Sequence, residues 1–299
     1  MTKYAYGIDI GGTRVKAGLV DIQSGKILAS RIFNSKKEEQ PFLNSLKDAL
    51  QSMQAEIEIK EVCGAGVSVT GFVHRAGIMG KSKEAFLPFL SGYPIAQRLE
   101  TTLGMPVKVD SDGRIVCYGE CLYGAGKGYE RVLLITLGTG IGFSILENAV
   151  IPSEPAVLHM GGHVKVKNSN RKCYCGLTGC FEQQCSGPAL MAEYRSASGS
   201  DASGKEIFSR AIAGEKAATD VVESYLESLC CGLNQFIFAH APDVIVIGGG
   251  VANGLENYID CIREQVTAKC YDTYHCDIKL AQLGDMAGVI GAAALVQQP

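Results

Sequence analysis

The sequence predicts an α/β protein built as two halves of similar construction. Three observations carry this expectation. Apolar strand patterns alternate with helical ones along the 299 residues, the ordering of an α/β architecture. A strand, a glycine turn and a second strand occur together twice, at Tyr4–Asp21 and at Arg131–Leu146, about half a chain apart. The length also fits two domains, at about 100–200 residues each.

The elements follow in order. In Tyr4–Asp21, alternating and β-branched residues flank Gly11-Gly12, which predicts a hairpin. A helix is predicted over Glu38–Glu56, a strand over Gly64–Val69, a helix over Ile95–Leu103 and a strand over Pro106–Val109. That strand enters a polar turn, Asp110-Ser111-Asp112-Gly113, before a helix over Ile115–Tyr123. Gly124–Gly128 marks the boundary between the halves. The second hairpin turns at Gly138-Thr139-Gly140. Beyond residue 185 the pattern is mostly helical, with a long stretch near Gly214–His240. A buried strand, Val244–Ile247, ends in Gly248-Gly249-Gly250, and the small apolar tail Met286–Gln297 reads as a docked helix.

Composition narrows the function. Hydrophobic residues at 46% and charged residues at 20% exclude a disordered or collagen-like chain. A net charge of −3 argues against binding to a nucleic-acid backbone or an acidic membrane surface. No run of about 18 apolar residues occurs, so no membrane span is expected. The opening Met1–Asp9 enters a strand pattern without a signal-peptide core. Together with 12 cysteines, this points to a reducing, cytoplasmic setting with thiols or metal ligands rather than disulfides.

Three glycine clusters each follow an apolar strand: Asp9–Thr13, Gly138–Gly142 and Gly248–Gly250. Such turns let backbone N–H groups approach phosphate oxygens. One cluster alone would read as a tight turn; three favour a nucleotide site. No Gly-Lys-Ser/Thr is present, and Gly138, Gly140 and Gly142 are evenly spaced, which disfavours both a P-loop and a dinucleotide fingerprint. Asp112, after a short strand, is a candidate general base for a hydroxyl, and phosphoryl transfer needs little more than such a base and good positioning. Alone, its polar neighbourhood would read as a turn. Asp9 is a candidate for holding Mg²⁺ through water, or else a turn-capping carboxylate. His163, Cys173, Cys175 and Cys180 make a Cys₃His set suited to a structural, four-coordinate Zn²⁺.

These residues together resemble the ROK family of sugar kinases and repressors, within the actin and hexokinase ATPase superfamily. Asp9-Ile10-Gly11-Gly12-Thr13 with Lys16 is similar to the family's first phosphate motif, and Leu137–Gly142 to its second. The span from His163 to Glu182 is similar to its Cys-x-Cys-Gly-x-x-Gly-Cys signature. Ile247–Gly250 is similar to the adenosine segment, and Ala287–Ala293 to the C-terminal helix. The resemblance implies an ATP-dependent sugar kinase of two actin-like (ribonuclease H-like) domains closing over a cleft. It places an N-terminal domain at 1–120, with a C-terminal helix at 286–299 packing back on it, and a second domain with the zinc loop at 121–285. It implies Asp112 as the base, His163 as both metal ligand and sugar contact, Glu182 as a second sugar carboxylate, and a homodimer.

The departures bear on specificity. The family's Asn before the base is Ser111, its Glu before the zinc cluster is Met160, and its Pro-Gly near the sugar is Thr70-Gly71. Methionine is a weak acceptor on an apolar arm, and buried hydroxyls without partners cost about 1–3 kcal/mol each. The acceptor is therefore expected to lack, or to mask, the hydroxyls that the family Glu and Asn hold. The alternative is a non-catalytic sugar or ATP sensor. Eight residues precede Asp9, so no DNA-binding arm is expected. Arg14 reads either as a phosphate partner or as a solvent-facing strand residue, and Arg114 either as a substrate contact or as a surface helix residue.

Overall fold

The computed structural model describes residues 3–57, 61–74, 77–81, 86–152, 156–270 and 274–298. Met1 and Thr2 of the opening pattern, and Pro299 of the expected C-terminal helix span, lie outside the described residues.

The chain forms two compact units. One comprises Met1–Lys127, Ala149–Ala156 and Leu283–Pro299; the other comprises Gly128–Asn148 and Val157–Gln282. The first begins with strands β1 (Tyr4–Ile10), β2 (Arg14–Asp21) and β3 (Lys26–Asn34), followed by helix α1 (Glu39–Glu56) and strand β4 (Ala65–Val69). A two-stranded ribbon, β5 (Val73–His74) with β6 (Ile78–Met79), precedes α2 (Ile95–Leu103), β7 (Val107–Ser111) and α3 (Asp112–Tyr123). The main sheet has the order β3-β2-β1-β4-β7. The hairpin strands pair antiparallel, while β4 and β7 run parallel to β1.

The second unit repeats the hairpin and its two parallel neighbours. Strands β8 (Arg131–Leu137) and β9 (Ile141–Glu147) form the hairpin. Five helices follow around two more strands: α4 (Phe181–Cys185), α5 (Gly187–Ser198), α6 (Gly204–Ile212), α7 (Lys216–His240), β10 (Val244–Gly248), α8 (Ile259–Thr267) and β11 (Asp277–Leu280). The sheet order is β11-β10-β8-β9, with β10 parallel to both β8 and β11. Every residue of β10 is buried, as its unbroken apolar run requires of a strand covered on both faces.

Each unit has its own core. In the first, Tyr6, Ile8, Leu46, Met53, Val67 and Leu99 pack between the sheet and α1 and α2; in the second, Leu133, Phe181, Tyr194, Leu229 and Ile245 do the same against α4–α8. The C-terminal helix, Ala287–Leu295, belongs to the first unit and lies directly on its sheet. A Cβ at Gly66 would sit 1.7 Å from the Ala292 carbonyl oxygen, so only glycine permits that approach. Among the described residues, no helix is long and apolar enough to cross a membrane.

The junction at Asp112 differs from the sequence expectation of a polar turn. The β4–β7 ladder carries the strand through Ser111, which pairs with Val69, and α3 starts at Asp112 itself. Long-range strand pairing overrides the turn-like composition, and an aspartate in the first helical turn is stabilised by the helix dipole.

Candidate active site

In the first unit, parallel strands deliver polar groups to one end of the sheet. The register sets Asp9 beside Ser68, and Ser68 beside Asp110. Ser68, fully buried, donates its hydroxyl to Asp9 Oδ1 at 2.7 Å. Burial pushes the Asp9 carboxyl above the ordinary range, against the opposing pull of Ser68 and Lys16. Lys16, across the hairpin from Asp9, gives its Nζ to the Asp285 carbonyl at 2.7 Å. Gly11, Gly12 and Thr13 form the β1–β2 turn, closed by Gly11 N–H to the Arg14 carbonyl at 3.0 Å. Arg14 is exposed on the strand.

Asp112 accepts the Gly113 backbone N–H at 2.8 Å and a hydrogen bond from the Thr70 hydroxyl. Burial is the largest influence on its carboxyl and raises it; the Thr70 and Gly113 bonds lower it, and the nearby Asp9 charge raises it again. A raised carboxyl poised close to a second one is the usual environment of a catalytic base. Gly71, beside Thr70, adopts φ +122°. Ser111 is 4% exposed, and its hydroxyl lies 3.4 Å from Asp110 Oδ1. Arg114 is not a surface residue. It is 8% exposed, pairs with Asp110 at 3.4 Å and donates to the Pro152 carbonyl.

In the second unit, two glycine clusters meet. The β8–β9 turn consists of Gly138, Thr139 and Gly140, with Gly138 N–H bonded to the Gly140 carbonyl at 3.0 Å. Gly249, with φ +88°, packs so tightly on the Leu137 backbone that a Cβ would lie 2.5 Å from its carbonyl oxygen. Gly250 has open space where a Cβ would stand. Val251 N–H bonds the Leu137 carbonyl at 3.0 Å and Gly187 N–H bonds the Gly138 carbonyl at 2.8 Å. Glu182, in the first turn of α4, accepts the Ile141 N–H at 2.9 Å.

The donor atoms of His163, Cys173, Cys175 and Cys180 all lie within 4.8 Å of one another. Cys175 Sγ is 3.6 Å from Cys180 Sγ, and Cys173 Sγ is 3.5 Å from His163 Nδ1. A tetrahedral zinc with Zn–S bonds of about 2.3 Å has sulfur–sulfur edges of about 3.8 Å, so this donor set fits that ion. The Leu177 backbone N–H pulls the Cys175 thiol below its ordinary value, whereas burial pushes Cys180 up to about 12. With Nδ1 facing the thiols, His163 Nε2 meets the Tyr174 hydroxyl at 3.0 Å, and the two rings stand edge to face at 4.9 Å.

The ROK family model matches residues 5–299. The chain belongs to the ROK family. It is 30% identical over 321 aligned residues to a glucokinase of Streptomyces coelicolor, covering 98% of this chain and 97% of that one. It is 27% identical to an N-acetyl-D-glucosamine kinase of Haemophilus influenzae, over 97% and 98% of the two chains. Among solved structures, a ROK hexokinase from Thermus thermophilus superposes with a TM-score of 0.84 at 27% identity, over 97% of each chain. A ROK glucokinase from Streptomyces griseus in complex with glucose and AMPPNP gives 0.79 at 28% identity, over 99% of this chain and 100% of that one. The fold is the two-domain actin-like fold of ROK sugar kinases.

Within this ROK chain, the sequence-predicted residues fall into two groups. Asp9, Gly11, Gly12, Thr13, Lys16, Thr70, Gly71, Ser111 and Asp112 lie in the first unit. Gly138, Thr139, Gly140, Met160, His163, the three cysteines, Glu182 and Gly248–Gly250 lie in the second. Met160 is 41% exposed. Sequence reasoning missed Ser68, Glu120 and Tyr174. Ser68 is signalled by a lone hydroxyl in the apolar strand Ala65–Val69. Glu120 is fully buried in α3 and accepts the backbone N–H groups of Ala125 at 2.8 Å and Leu283 at 2.9 Å. No local pattern marks it, because Leu283 is remote in sequence.

Proposed function

We propose that this ROK protein transfers the γ-phosphoryl group of ATP to a hydroxyl of a hexose or hexose derivative, with Asp112 as general base. The observation that carries this reading is the desolvated Asp112 carboxylate, held by the Thr70 hydroxyl and the Gly113 N–H near a second desolvated carboxylate, Asp9. A base of raised pKa takes the proton of an attacking hydroxyl more readily than an ordinary carboxylate. The chain's full-length relatives include glucokinases and N-acetyl-D-glucosamine kinases, so the sensor alternative is not favoured.

We assign the remaining roles on the family's motifs. The turns of Gly11, Gly12 and Thr13 with Lys16, and in the second unit those of Gly138–Gly140 and Gly248–Gly250, bring backbone N–H groups and the Lys16 charge to the nucleotide, the N–H groups of Gly11 and Gly138 being taken within their own turns. Asp9, an oxygen donor with little competing solvent, fits Mg²⁺, which when bound would neutralise charge on the phosphates. His163, Cys173, Cys175 and Cys180 would hold a structural Zn²⁺, fixing the loop that carries His163 and leads into Glu182. Thr70, Gly71, Ser111, Met160, His163 and Glu182 shape the acceptor site. The free thiols suit the cytoplasm, and we expect a homodimer.

The buried Ser111 and the half-exposed Met160 leave fewer acceptors for hydroxyls than an Asn and a Glu would. The best acceptor is therefore a derivative with an apolar or missing group at those positions. The test is ADP release with Mg-ATP across hexoses, N-acetylhexosamines, deoxy and O-alkylated sugars and disaccharides. A sugar-dependent rate, highest for a modified hexose, is expected. No acceleration by any sugar, with ATP still bound, would refute the kinase reading.

A further inference from the structure

The turn at Gly138–Gly140 is not held by its hairpin alone. Glu182 Oε2 accepts the backbone N–H of Ile141, the residue at which the chain leaves the turn, at 2.9 Å. A Cβ on Gly140 would lie 2.7 Å from the same oxygen, so the missing side chain is what lets the carboxylate reach the backbone. Hydrogen bonds to a charged acceptor are about twice as strong as neutral ones.

The carboxylate stands on a fixed base. Cys180 of the metal-ligand set directly precedes α4. Phe181, fully buried, donates its N–H to the Val164 carbonyl at 2.8 Å and packs edge-to-face on Phe236 at 5.7 Å. The other side of the turn is tied to α5 through the Gly187 N–H.

We infer that Glu182 is a positioning residue for the nucleotide turn as well as a hydroxyl acceptor. Oε2 fixes the exit of the turn, and Oε1 is the oxygen that serves the sugar. One carboxylate thus joins the acceptor site to the phosphate turn, and ordering it from either side favours the other ligand. This inference rests on the kinase reading and extends it from sugar recognition to nucleotide binding.

The test is equilibrium binding of a non-hydrolysable ATP analogue, with Mg²⁺ and without sugar, to holoprotein variants. Glu182→Ala should weaken the analogue about tenfold, the scale of a lost charge-assisted hydrogen bond. Glu182→Gln keeps a carbonyl oxygen for Ile141 N–H and should restore nucleotide affinity to within about threefold of wild type, while sugar affinity stays reduced. Gly140→Ala should weaken the nucleotide in the wild-type background and cost less in Glu182→Ala, because the group its Cβ displaces is already gone.

Wild-type nucleotide affinity in Glu182→Ala, with only the sugar half-saturation raised, would overturn the inference while leaving the kinase reading intact. Unchanged nucleotide affinity in both Glu182→Ala and Gly140→Ala would remove the turn from the nucleotide site altogether. If Glu182→Ala does not fold, Gly140→Ala decides, and an unchanged affinity there overturns the inference.

Discussion

Thr70→Val tests how the candidate base is tuned. Burial and the Asp9 charge raise the Asp112 carboxyl, while the Thr70 hydroxyl and the backbone N–H groups of Gly113 and Asp112 lower it. Valine keeps the shape of threonine and removes only the donor. A hydrogen bond to a charged acceptor contributes about 1.5–3 kcal/mol, and one pKa unit corresponds to about 1.36 kcal/mol. The variant's Asp112 should therefore stay protonated to a pH about one to two units higher than in the parent. The base works only when ionised, so the acid limb of kcat/KM moves to higher pH, and the alkaline plateau of kcat changes little. The assay is kcat/KM for the best sugar at saturating Mg-ATP between about pH 5 and 9, which reports the essential base of the nucleotide-bound enzyme before sugar binds. An acid limb that stays in place or moves to lower pH would refute this account of Asp112. The same raised carboxyl has a stability consequence. Its folded value lies above the unfolded one, so its contribution is fully present below the ordinary carboxylate range and is lost as pH rises through the raised value. Asp112→Asn should accordingly melt higher than wild type at neutral pH.

Three further outcomes follow. Met160→Glu should lower the KM for an unmodified hexose by about tenfold, one hydrogen bond to a charged group, and an unchanged KM in steady-state kinetics would remove Met160 from the acceptor site. Arg114→Ala should destabilise the fold by about 3 kcal/mol through the loss of a buried ion pair, read by denaturant unfolding; wild-type stability would show that the pair with Asp110 contributes nothing to the fold. Tyr174→Phe removes the hydroxyl on His163 Nε2 and should weaken zinc about tenfold in chelator competition, against about one zinc per wild-type chain and none in a Cys173/Cys175/Cys180 triple alanine variant; equal zinc retention would show that the phenol does not orient the ligand.

Local patterns were legible in the sequence. Both hairpins with their glycine turns and the Cys₃His set depend on neighbours within about twenty residues, and the structure assembles each of them. What depends on distant partners was not. The start of α3 at Asp112 is set by the ladder between β4 and β7, which carries the strand past residues whose composition favours a turn. The burial of Arg114 needs Pro152, 38 residues on. Gly66 is a glycine because of a helix more than 220 residues later in the chain. The spacing of the cysteines predicted a metal site but not which His163 nitrogen faces it, because that choice depends on the ring orientation that places Tyr174 on Nε2.

In the proposed reaction Asp112 takes the proton of a sugar hydroxyl as phosphate is transferred. Its most direct test is Asp112→Asn, with nucleotide and sugar affinities measured beside kcat. kcat should fall by about 10²–10⁴, the usual contribution of a positioned base, with both dissociation constants within about threefold of wild type. A variant that keeps kcat within tenfold, or loses activity only through weaker binding, would contradict it.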